Sequence, residues 1–132
     1  MASTTKKLLE GRVYNKYEWV LMDEGNTATV GISNHGQTQL GEMFHVELPV
    51  VGDSVEINDS CGSVESLHAA TDVFAPLSGE IVEVNTILKS SPNLINKSPL
   101  NHGWLFKMKV KDVTELGKLI AEEQYLATLE DF

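Results

Sequence analysis

From Glu18 to Val84 the chain is written in short runs that alternate apolar and polar residues, with turn formers between them. A side-chain period of two fits strands that bury one face, and frequent punctuation allows only short strands with tight connections. Glu18–Met22 and Thr27–Gly31 flank Asp23-Glu-Gly-Asn26, a hairpin with Gly25 and Asn26 in the turn. Ser33 is placed to cap a short helix that runs through Leu40 and stops at Gly41. Phe44–Leu48 alternates as a strand and ends at Pro49, which has no ladder donor. Beyond a turn at Gly52-Asp53, Ser54–Ile57 is a further strand. Cys61–Leu67 and Asp72–Phe74 form the arms of a second hairpin, with His68 where the chain reverses. Pro76 and Gly79 punctuate before Glu80–Val84, so two similar halves, Ser54–Leu67 and Asp72–Val84, meet at that hairpin.

Ser91–Pro99 is rich in turn formers and is expected to be a loop. In Trp104–Val110, residues Trp104, Phe106, Met108 and Val110 share one face, and Leu105, Lys107 and Lys109 the other. The period then changes: Leu116, Leu119, Ile120, Tyr125, Leu126 and Leu129 recur at three or four, with Thr114 and Glu115 suited to a helix start. These signals give a mainly β fold with a short inserted helix and a helical C-terminal segment at 113–131. The 132 residues make one domain, 1–132, with 1–12 a candidate flexible N-terminus.

Charge narrows the partners. Nineteen acidic residues against ten basic ones leave a formal charge of -9, which repels nucleic acid and anionic membrane surfaces and suits a positively rimmed protein partner. No apolar run approaches the ~20 residues of a membrane helix. The start, MASTTKKLLEGR, lacks the apolar stretch of a secretory signal, so the chain is not expected to be secreted. Cys61 is the single cysteine and reads as a small packed side chain.

Motifs of common chemistries are missing. There is no phosphate loop, no HExxH and no paired CxxC. His35, His45, His68 and His102 are far apart, so no metal site is expected. Ser66, His68 and Asp72 carry the residue types of a triad, but Ser66 lies in no Gly-x-Ser-x-Gly elbow. Taken alone, His68 is a solvated turn residue. Its small flanks leave it accessible to an enzyme that closes around it.

The run Gly62–Asn85, GSVESLHAATDVFAPLSGEIVEVN, resembles the hairpin of the glycine cleavage system H-protein family, roughly G-x-V-E-S-V-K-A-x-S-D-x-x-x-P-x-S-G-E-V-x-E-V-N. The resemblance extends along most of the chain: Tyr17–Val20, Thr27–Ile32 with Asn34-His35, Leu40-Gly41, Val46–Pro49 with Gly52-Asp53, Pro92–Asn96 and Gly103–Lys107. It implies the lipoyl/biotinyl barrel-sandwich hybrid fold and a carrier rather than an enzyme. In that family a lipoyl arm on the hairpin lysine takes an aminomethyl group from the PLP-dependent glycine decarboxylase. The arm presents it to the aminomethyltransferase and is reoxidised by dihydrolipoyl dehydrogenase. The resemblance also implies lipoate-attaching enzymes as partners, and a bacterial cytoplasm or a mitochondrion-type organelle as the place of action. Residue by residue it assigns Glu18, His35 and Asp72 to the lining of the arm's cleft, and Glu65, Ser66 and Ala69 to the flanks of the attachment position.

That attachment position is His68, where the family has lysine. Tyr17 likewise replaces the family's histidine, and Cys61 a usual Phe or Leu. A lysine amine forms a durable amide, whereas an N-acylimidazole is itself activated and hydrolyses in water. The nine lysines, at 6, 7, 16, 89, 97, 107, 109, 111 and 118, all lie outside the hairpin. No lipoyl group is therefore expected on this chain. Three readings stay open: an arm-free H-like module that docks on, competes with or regulates its relatives' partners; an ordinary H protein with a lysine-to-histidine change; or an enzyme using His68 for acid–base work.

Overall fold

The structure, a computed structural model, describes residues 11–130. Residues 1–10 of the candidate N-terminal tail, and 131 at the end of the expected helical segment, lie outside the described residues. Among the described residues, ten strands form two sheets: β1 (Val13–Tyr14), β2 (Glu18–Met22), β3 (Thr27–Ile32), β4 (Met43–Glu47), β5 (Ser54–Val55), β6 (Ser60–Ser66), β7 (Ala70–Phe74), β8 (Gly79–Val84), β9 (Phe106–Val110) and β10 (Ile120–Ala121). The larger sheet has the order β10-β1-β2-β3-β9-β8-β5, and the smaller β4-β6-β7. Every pairing is antiparallel. The two halves seen in the sequence fold as nested pairs, β6 with β7 and, outside them, β5 with β8. This is the expected barrel-sandwich arrangement.

The local signals act as the residue types require. Asn26 takes the left-handed conformation (φ 61) at the β2–β3 turn, which asparagine tolerates. Helix α1 (Asn34–Leu40) is capped by Ser33, whose hydroxyl accepts from the Gly36 amide, and it stops at Gly41. One apolar core joins the sheets, with Val20, Val30, Val64, Leu77, Ile81, Phe106 and Met108 all buried. A second, smaller cluster holds Tyr14, Trp19 and Tyr125. The Trp19 ring lies over its cross-strand partner Gly31, where a Cβ would meet the indole at 2.5 Å; only glycine leaves the indole that space.

Three expectations change. The loop 91–99 contains a helical turn, α2 (Leu94–Lys97), which buries Ile95. β9 begins at Phe106, so Leu105 turns into the main core and Trp104 joins the second cluster, instead of Trp104 sharing the inward face and Leu105 the outward one. The segment 113–131 is not one helix. A 3-10 turn (Val113–Lys118), the short β10 and helix α3 (Glu122–Glu130) follow one another, because Val13 and Tyr14 offer β10 an edge to pair with. Leu126, read with the helical apolar set, is half exposed.

Candidate functional site

The β6–β7 hairpin projects its turn, Leu67-His68-Ala69, at one end of the smaller sheet, and all three residues are exposed. Ser66, the last residue of β6, fixes the turn. Its hydroxyl accepts from the amides of His68 (3.2 Å) and Ala69 (3.3 Å) and donates to the Leu40 carbonyl at 2.6 Å. The turn is thereby tied to the end of α1. Gly41, the next residue, faces the imidazole: a methyl group there would sit 3.0 Å from His68 Cδ2. Asn96 of α2 completes the tie. Its amide group donates to the Gly41 carbonyl (2.8 Å) and to Gln37 Oε1 (2.9 Å), while its Oδ1 accepts from the Met43 amide (2.8 Å).

Glu65 pairs across the sheet with Ala70 on one side and His45 on the other, and Asp72 with Ser63. Asp72 is exposed on β7, the edge strand of its sheet. Two residues on, the Phe74 amide faces the Glu18 carboxyl. Glu18 is buried, 5% exposed, and that burial raises its pKa above the ordinary carboxylate value. The amides of Phe74, Glu18 and Tyr17 and the Lys16 ammonium pull in the other direction. Asp72 is a residue of β7, and Glu18, the first residue of β2 in the other sheet, reaches that strand only through the Phe74 amide. His35, the second residue of α1, stands against Tyr17, one residue before Glu18, with ring centroids 6.1 Å apart. His35 and Tyr17 help line a groove of about 440 Å³ with Lys16, Lys118 and Tyr125.

Cys61 is buried. Its thiol is pushed up to about 12, mainly by burial and further by the carboxylates of Glu18 and Asp59, so it is held as an unreactive thiol. Among the described residues no group of three or more His, Cys, Asp or Glu side chains is placed to hold a metal ion. Ser66 gives its proton to a backbone carbonyl rather than to His68, which removes the triad geometry. Sequence reasoning missed the Leu40, Gly41 and Asn96 contribution. The visible signal was Asn96, an amide side chain directly after Leu94 and Ile95.

As a site for an amide-linked group, the turn has the presentation but not the amine. The residue at its apex offers only imidazole nitrogens, and no lysine lies between Ser60 and Phe74.

A barrel-sandwich domain that holds one residue out on a latched hairpin has the form of a swinging-arm carrier scaffold. A family model described as Glycine cleavage H-protein matches residues 12–132. The glycine cleavage system H protein of Pectobacterium carotovorum is 47% identical over 115 residues, 87% of this chain and 88% of that protein. The probable glycine cleavage system H protein 1 of Sulfolobus acidocaldarius is 46% identical over 123 residues, 92% of this chain and 88% of that one. The crystal structure of a glycine cleavage system H protein from Mycobacterium marinum superposes with a TM-score of 0.82 at 33% identity, covering 90% of this chain and 96% of that one. The chain belongs to the glycine cleavage H-protein family, whose members are non-catalytic lipoyl carriers.

Proposed function

We propose that this chain is an H-protein scaffold that engages the partners of glycine cleavage without carrying a lipoyl arm of its own. The observation that carries the proposal is His68 at the apex of the latched turn. Everything around it favours presentation: exposure, small flanks at Ala69 and Ala70, and a fixed backbone. The side chain itself cannot make a stable amide. Glu18, Asp72 and His35 are proposed to line the cleft that in its relatives faces the arm, with Glu65, Ser66 and Ala69 flanking the attachment position. The partners are then the PLP-dependent glycine decarboxylase, the aminomethyltransferase, dihydrolipoyl dehydrogenase and lipoate-attaching enzymes, met in a bacterial cytoplasm or a mitochondrion-type organelle. No helix among the described residues is long and apolar enough to cross a membrane.

The test is attachment. Incubated with a lipoate ligase, lipoate and ATP, the chain should gain no mass, while His68→Lys should gain one lipoyl group. A stable lipoyl adduct on the unaltered chain overturns the proposal.

A further inference from the structure

A protein without an arm has to be recognised through its own surface, and one end of the smaller sheet is built for that. β4 and β6 pair with a bulge between Met43 and His45, so that Phe44 and His45 both stand opposite Glu65. Such a bulge re-aims the extra side chain. Met43 and Val46 enter the core, while Phe44 is left 54% exposed. Leu67, at the start of the turn, is 91% exposed, the most open large apolar residue among those described. The two lie at the same end of the sheet, since Met43, next to Phe44, pairs with Ser66, next to Leu67. One exposed leucine is ordinary. An aromatic turned out by a bulge and a leucine on a hydrogen-bonded turn, on either side of the Met43–Ser66 pair, are preformed anchors that lose little freedom on docking.

The surroundings give the sign of the partner. Glu42 and Glu47 on the β4 side and Asp72 on β7 are exposed, and Glu65 lies between them. The ionisable base on these strands is His45, whose Nε2 is 3.4 Å from Glu47 Oε2, and Lys89 borders the far end of β4 beside His45 and Glu47, leaving the acidic groups in excess. Neither Met43–Glu47 nor Ser60–Phe74 contains a lysine or arginine.

We infer that Phe44 and Leu67 are the apolar anchors of a docking face, and that its partner is a protein presenting an apolar socket ringed by lysine and arginine. The inference rests on the function proposed above for the choice of partner to test, the glycine decarboxylase. Titration of the full chain into that enzyme should show binding that weakens between about 50 and about 300 mM salt, as the acidic rim is screened. Leu67→Ala and Phe44→Ala should each raise Kd about ten-fold. Val82→Ala, an exposed apolar position on the larger sheet, should leave Kd unchanged. His68→Lys, once lipoylated, should respond to the same two truncations. Unchanged affinity of Leu67→Ala and Phe44→Ala overturns the inference, as does lack of binding by both the chain and its lipoylated variant. A chain that gained a lipoyl group would defeat the arm-free proposal and leave this measurement standing.

Discussion

The two best-defined hairpins of the molecule close their turns in different ways. Between β2 and β3, Asp23 does the work from inside the turn: its Oδ1 accepts from the amides of Gly25 and Thr27, both at 2.9 Å, and Asn26 supplies the positive φ. That turn is exposed, and its distant tie is made by backbone alone: the Asn26 carbonyl accepts from the Val110 amide at 2.9 Å. Between β6 and β7, Ser66 binds its own turn and also reaches a carbonyl 26 residues away, and through Gly41 the contact continues to Asn96. The first arrangement ends one strand and begins the next. The second fixes where residue 68 stands relative to the body of the protein, which is what a position served by other enzymes requires.

The largest way to break this contrast is at Gly41. Its φ of 88 and ψ of -172 fall in a region that glycine alone occupies readily, and a methyl there would press on His68. Gly41→Ala should cost roughly 1–3 kcal/mol in urea unfolding. An unchanged midpoint would mean that Gly41 does not hold this backbone conformation against the tip. Next come the two turn-closing side chains. Ser66→Ala removes a donor from the Leu40 carbonyl and an acceptor from two amides in a part-buried setting, and should cost about 1–2 kcal/mol. Asp23→Ala, fully in solvent, should cost about 0.5–1 kcal/mol. Equal losses would erase the distinction between a turn latched to the body by its side chain and one whose side chain closes it only locally.

A pH-dependent effect sharpens the same comparison at the base of the hairpin. Burial raises the Glu18 pKa in the folded protein above its unfolded value of about 4.3. Stability from this group is therefore fully present below about pH 4.3 and is lost as pH rises through the folded pKa. Glu18→Gln should stabilise the protein more at pH 7 than at pH 4, measured by urea midpoints at the two values. The reverse order would show that the Phe74 amide and Lys16 outweigh the burial. Smallest of all is the apex: His68→Lys should shift stability by no more than about 0.5 kcal/mol, because an exposed residue at a fixed turn contributes little burial.

Much of the fold was legible because it rests on near-neighbour chemistry. The period of two marked the main strands, and Ser33 and Gly41 bounded α1 where the structure has it. The misses have a common cause. β1 and β10 are two residues each, too short for any period to show; β1 forms by pairing with β2, and β10 by pairing with the edge that β1 then offers. α2 is four residues inside a stretch dense with turn formers, held by the burial of Ile95. Leu105 faces the core because its amide donates to the Val30 carbonyl before β9 starts, a contact that no local pattern encodes. At the site, His68 and its flanks could be picked out from their own neighbours. Gly41 and Asn96 are visible as a helix stop and an amide after two apolar residues, but their part at the turn is not, since it depends on α1 and α2 packing beside it.

The central claim is that a complete carrier scaffold here presents a residue that cannot hold the arm. The most direct measurement is the intact mass of the protein recovered from its own source. The expected mass is that of the unmodified polypeptide, with no lipoyl group. A population carrying one lipoyl group in stable linkage would contradict it.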